Sequence, residues 1–151
     1  MDTLLAKHLK PYLAYNESRI SRLLELMPPK TRPLFHILTF LLHTNLQELP
    51  GYINDKEAPC GIENYAFPPD LEAAFATIFP NYRFRQIMSD YSAQSQLCVK
   101  SLLLMGSVGS MAQTVKSDFD YWVCFNEDSL NPKQLELFKK KLIDIEKWAD
   151  K

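Results

Sequence analysis

Glycine is scarce: four among 151 residues, against ten prolines. Collagen-like and linker-type chains are excluded by that alone. Cysteine is also sparse. Cys60, Cys98 and Cys124 form no C-x-x-C pair and are odd in number. Neither a disulfide framework nor a zinc site is expected from them, and reduced thiols acting as small core hydrophobes are. His36 and His43 stand two helical turns apart, too far to share an ion without further ligands. Long apolar runs are missing too: stretches such as Ile37-Leu38 and Phe40-Leu41-Leu42 are short, so no segment is expected to span a bilayer. The opening MDTLLAKHLKP lacks an apolar stretch followed by a small-residue cleavage site. No secretory signal is read there, and a cytoplasmic location is expected. Finally there is no basic surplus. Lys plus Arg is 17 and Asp plus Glu is 18, a net charge of −1, so nucleic acid is not an expected partner.

What is present is a globular composition, 46% hydrophobic and 12% aromatic, enough for one domain with a core, or one domain plus a helical appendage. The first half reads as helical. Leu4, Leu5, Leu13, Ile20, Leu23, Leu24 and Met27 mark one helix with Pro11 as a break or kink, stopped by Pro28-Pro29. Thr31 and Pro33 open a second, with Leu34, Ile37, Leu38, Leu41 and Leu42 as its apolar face. The two are expected to pack as an antiparallel pair. From Glu48 to Asp70 the periodicity dissolves into Pro50-Gly51, Pro59, Gly61 and Pro68-Pro69, a long loop. Its Tyr52, Tyr65 and Phe67 are expected to hold it against the protein. Asp70 to Phe79 reads as a short capped helix, and Tyr82 to Gln96 as ambiguous.

The second half differs. Leu97–Met105 and Phe119–Phe125 read as strands. Asn131-Pro132 then opens an amphipathic helix carrying Leu135, Phe138, Leu142, Ile145 and Trp148. The run Lys139-Lys140-Lys141 on that helix reads as a solvated face.

Between the two strands lies the segment that carries chemistry. A strand ends in Gly106-Ser107, a turn opens a short helix, and the next strand begins Asp118-Phe119-Asp120. Glycine lets backbone approach a phosphate, while Ser107 and the N–H groups of a helix start offer donors to anionic oxygens. On a strand Asp118 and Asp120 point together, and Phe119 points away into the core. Two adjacent carboxylates repel unless a cation lies between them, and a hard ion such as Mg²⁺ meets that need and bridges phosphate oxygens. A Gly-Ser followed some ten residues later by Asp-x-Asp, between two strands, fits the nucleotidyltransferase pattern.

The string Met105-Gly106-Ser107-x-x-Ser110-x-x-Gln113-x-x-x-Ser117-Asp118-x-Asp120-x-Trp122-Val123-Cys124 goes further. It resembles the catalytic-domain signature of class I adenylate cyclases, the enterobacterial type. His43 with Leu49-Pro50-Gly51-Tyr52 and Gly61-Ile62 is similar to that family's connector, and Glu146-Lys147-Trp148-Ala149 to the end of its following helix. The resemblance implies an α+β chain: N-terminal helices, then a truncated polymerase-beta-like nucleotidyltransferase core with a small sheet. Residues 1–48 would be the helical region, 49–96 a connector with short helices, and 97–151 the first part of the core.

Implied with it is conversion of ATP to 3′,5′-cyclic AMP and pyrophosphate with Mg²⁺ or Mn²⁺. Asp118 and Asp120 would be catalytic and hold metal. Gly106 and Ser107 would hold the triphosphate, and Ser110, Gln113 and Ser117 would shape or line the loop. Enzymes of this fold generally use a third carboxylate on a later strand. Here Asp144, Glu146 and Asp150 all fall on the last helix. The chain is therefore expected to be an N-terminal piece of a longer cyclase, or a shortened relative, inactive or very weak alone. The remainder of its own chain is an expected partner. Self-association through an exposed sheet edge is another expectation. Two alternatives stand beside this reading: a different nucleotidyltransferase, and a non-catalytic nucleotide-binding or interaction module.

Overall fold

A computed structural model of the chain describes residues 3–91, 97–114, 117 and 119–151. Along it run α1 (Thr3–Leu26), α2 (Arg32–His43), β1 (Cys60–Ile62), α3 (Leu71–Ile78), α4 (Phe84–Ser89), β2 (Leu97–Met105), β3 (Asp120–Phe125), a 3-10 turn at Glu127–Ser129, and α5 (Pro132–Ala149). The architecture is α+β, with the strands in one sheet of order β1-β2-β3. β1 and β2 pair in parallel, Cys60 opposite Leu97 and Ile62 opposite Val99. A parallel pair needs a long crossover, and α3 and α4 lie within it. β1 falls inside the stretch expected to be all loop. Three residues with a central glycine are too short to show alternation.

The chain forms two compact units, each drawn from two separated segments. One comprises Met1–Arg32 and Leu104–Trp122, the other Pro33–Leu103 and Val123–Lys151. α1 belongs to the first and α2 to the second.

In the larger unit the core gathers Ile37, Phe40 and Leu41 of α2, Phe75 of α3, Val99 of β2 and Phe138 of α5, all buried. Phe40 meets Phe75 edge-on at 6.1 Å, and Phe138 meets Phe125 the same way at 5.4 Å; such pairs add stabilisation beyond their buried area. The connector does lie on the protein. His43 is buried and stacks on Tyr65 at 4.2 Å, with Phe67 against its edge. Its Nδ1 accepts from the Ile62 N–H at 3.0 Å, so Nε2 carries the proton and donates to the Tyr91 hydroxyl at 3.0 Å. Burial lowers its pKa, and His43 is a neutral core residue.

Helix α5 starts as its sequence says. The Asn131 side chain accepts from the Gln134 N–H and the Gln134 side chain accepts from the Asn131 N–H, a closed capping box with Pro132 in the first turn. One reading of this helix is corrected. Lys141 is not on a solvated face; it is 1% exposed. At three residues from Phe138 and four from Ile145 it shares their inward face. Its ammonium donates to the carbonyls of Thr44 at 2.7 Å and Gly51 at 3.1 Å, tying α5 to the connector.

In the smaller unit α1 runs unbroken through Pro11. Lys7, whose carbonyl loses its donor at that proline, and Pro11 itself are exposed, so water can replace the missing bond. Leu23 and Met27 near the end of α1 are buried, as is Val108 in the segment after β2. No helix of the described residues is long and apolar enough to cross a membrane.

Candidate functional site: the loop after β2

The segment from Gly106 to Ala112 is a succession of turns, not the short helix expected. Its glycines explain the difference. Gly106 and Gly109 have φ of +83° and +70°, and left-handed residues interrupt a right-handed helix. At Gly109 space also excludes a side chain, since a Cβ there would lie 2.3 Å from the carbonyl oxygen of Arg19. At Gly106 the backbone angle alone requires glycine. A Cβ would stand 3.8 Å from Oδ2 of Asp120, which places that carboxylate beside the first residue of the loop.

Polar side chains of the loop bond mainly to the loop itself. The Ser110 hydroxyl donates to the Ser107 carbonyl at 2.6 Å and accepts from the Ala112 N–H at 3.2 Å. Gln113 Oε1 accepts from the Gly109 N–H at 2.6 Å. Ser107 Oγ and Ser117 Oγ are 2.9 Å apart, and Ser117 Oγ accepts from the Thr114 N–H at 2.9 Å. The bond between Ser107 and Ser117 joins two side chains ten residues apart in sequence. The structure thus brings Gly106, Ser107, Ser110, Gln113, Ser117 and Asp120 into one place, while Asp118 lies outside the described residues.

β3 begins at Asp120, one residue later than expected, with Asp120 and Trp122 exposed on one face and Tyr121 turned inward. Phe119 precedes the strand and is 38% exposed, so its expected place in the core is corrected. The period of two holds, but it counts from Asp120. The Tyr121 hydroxyl is buried without a partner among the described residues, and burial raises its pKa strongly.

Sequence reasoning missed Arg19. From α1 its Nη2 donates to the Val108 carbonyl at 2.6 Å, across 89 residues of sequence. No local pattern marks it, since an arginine beside Ile20 on a surface helix is ordinary.

For a divalent ion, the donor chemistry is right at Asp120, an exposed carboxylate beside a glycine whose missing side chain leaves room. Among the described residues no group of three or more His, Cys, Asp or Glu could hold a metal.

Comparison with known proteins decides the family. The profile of the adenylate cyclase NT domain matches residues 5–151. The chain belongs to the adenylate cyclase N-terminal domain family. Similar curated proteins of this kind include an adenylate cyclase of Pasteurella multocida (strain Pm70), 35% identical over 132 residues, covering 87% of this chain and 15% of the relative. The adenylate cyclase of Escherichia coli (strain K12) is 29% identical over 136 residues, 90% of this chain and 15% of the relative. That of Proteus mirabilis is 28% identical over 138 residues with the same coverage, 90% and 15%. The chain thus spans about 15% of the length of the family members it matches. No solved structure matches it.

Proposed function

We propose that this chain is the part of an adenylate cyclase that supplies the phosphate loop and the first metal-binding carboxylates of the catalytic site. The whole enzyme converts ATP to 3′,5′-cyclic AMP and pyrophosphate on a nucleotidyltransferase-type core. One observation carries the reading. A loop braced by its own serines and glutamine, with two left-handed glycines, stands next to the Asp120 carboxylate at the head of the following strand.

In this reading Gly106 and Ser107 present backbone N–H groups to the triphosphate, at a position where a side chain would be strained. Ser110, Gln113 and Ser117 hold the loop's shape so that those donors need not reorganise when phosphate arrives, the condition for electrostatic stabilisation to be effective. Asp118 and Asp120 would hold Mg²⁺ or Mn²⁺. When bound, the ion supplies Lewis-acid charge against the phosphate oxygens. The remaining contribution of these residues is positional: they fix the α-phosphorus in line for attack by the ribose 3′-hydroxyl. The near-neutral charge of the chain suits a single nucleotide better than a polynucleotide.

The test is nucleotide titration with and without Mg²⁺, comparing the natural chain with Asp118→Asn, Asp120→Asn and the double variant. Magnesium-dependent ATP binding that disappears in the double variant is the expected outcome. ATP binding indifferent to those substitutions refutes the site. Cyclic AMP production from Mg-ATP by the 151-residue chain is expected to be absent or very weak.

A further inference from the structure

We propose that Arg19 is a positioning residue for the nucleotide loop, so that α1 is a working part of the phosphate site rather than a cap beside it. The proposal rests on the nucleotide reading given above and adds a residue that lies outside the signature from Met105 to Cys124.

Three observations converge. First, the guanidinium of Arg19 donates to the Val108 carbonyl at 2.6 Å, a charge-assisted bond made in the middle of the loop. Second, the backbones themselves touch at the next residue. A Cβ on Gly109 would meet the Arg19 carbonyl oxygen at 2.3 Å and its carbonyl carbon at 2.9 Å. Helix and loop therefore pack main chain to main chain, and a glycine at that place is required from both sides. Third, Arg19 Nε is buried and has no hydrogen-bond partner among the described residues. A buried donor left unpaired is destabilising, and a site bearing such a cost invites a functional reason.

Two braces flank Gly109, one from each side. Gln113 accepts its N–H, and Arg19 holds the carbonyl of the residue before it. Together they fix the peptide between Val108 and Gly109. Fixing that peptide keeps Gly109 left-handed, and so sets the direction in which the chain leaves Gly106 and Ser107. The guanidinium also keeps a permanent positive charge next to a loop assigned to phosphates, where it favours an anion.

The experiment uses the 151-residue chain with Mg-ATP as the probe, in natural form and as Arg19→Gln, Arg19→Lys and Asp120→Asn. Binding is read by calorimetry and loop order by amide hydrogen exchange at residues 106–110. Arg19→Gln is expected to weaken Mg-ATP binding by about tenfold or more and to speed exchange in the loop. Arg19→Lys, which keeps the charge and one donor, is expected to recover most of the affinity. A purely structural role would instead lower the unfolding midpoint of both Arg19 variants without separating their affinities, and that result overturns the proposal. Wild-type affinity in Arg19→Gln with binding lost in Asp120→Asn overturns the proposal and leaves the nucleotide reading standing. Unchanged binding in Asp120→Asn overturns the nucleotide reading and the proposal with it. Should Arg19→Gln fail to fold, the Arg19→Lys chain still decides: a modest loss of Mg-ATP affinity with faster loop exchange supports the proposal, and affinity and loop exchange both identical to the natural chain's overturn it.

Discussion

Lys141 shows how far a single side chain can depart from its sequence context. Three consecutive lysines read as a solvated face, and two of them are exposed. The third is buried, and burial pushes its pKa down to about 8, with the thiols of Cys60 and Cys98 only partly opposing the shift. The ordinary value is 10.5. Below about pH 8 the lysine is protonated in both folded and unfolded states. Between that point and the ordinary value the unfolded chain holds a proton the folded chain has released, so stability rises with pH across the window. Cys60, Cys98, Tyr65 and Tyr91, all raised by burial, act in the opposite direction at higher pH. The contribution of Lys141 must therefore be read as a difference. Urea unfolding of the natural chain and of Lys141→Met between pH 7.5 and 9.5 is expected to show the natural chain gaining on the variant by about 2 kcal/mol. Parallel curves would show that the ammonium is not desolvated. What the sequence did contain was position: Lys141 follows Phe138 by three residues and precedes Ile145 by four. Helical period outranked composition there, and a charge run concealed it.

At the scale of elements, legibility followed the physical range of each signal. The start of α5 was readable because a cap, a proline and a glutamine three residues on are local chemistry. α2 was readable from periodicity, and the two longer strands from their apolar, aromatic and β-branched composition. β1 was not, because only its pairing with β2 makes it a strand. The expected helix after Gly106 does not form because Gly106 and Gly109 are left-handed, and a glycine's letter does not say which hand its backbone takes. Asp70 occupies the position before α3 as expected, yet its side chain makes no capping bond there. Gly51 joins two elements in the same left-handed way. It has φ +78°, and a Cβ would lie 2.5 Å from Ile145 Cγ1 and 3.3 Å from the Lys141 carbonyl. Its own carbonyl receives the buried ammonium. Gly51→Ala combines backbone strain with overpacking on a buried helix face, and about 2–4 kcal/mol of destabilisation is expected by urea unfolding. A loss below roughly 0.5 kcal/mol would mean that connector and α5 separate easily, contrary to the shared bond.

The whole molecule carries one feature that no motif announced. The smaller unit leaves large apolar side chains in solvent along α1, including Leu5, Tyr12, Leu13 and Tyr15. The segment Leu104–Trp122 adds Met111, 95% exposed, and Trp122, 60% exposed. Composition could not reveal this, because a hydrophobic fraction of 46% is the same whether the residues are inside or out. Scattered single apolar residues are normal on a surface, but a concentration of them in one unit marks a face made for contact. Their location also bears on the site, since α1 and the loop form one compact unit. The isolated 151-residue chain should accordingly bind a hydrophobic dye and self-associate as concentration rises, measured by light scattering after size exclusion. Replacing Tyr12 and Leu13 by Glu places charge on α1 seven and six residues before Arg19, and should shift the chain toward monomer. A natural chain that stays monomeric and binds no dye would show that these side chains find cover within the unit in solution. Association that persists unchanged in the Glu variants would instead place the contact elsewhere, with the unpaired edges of β1 and β3 as the next surface to charge.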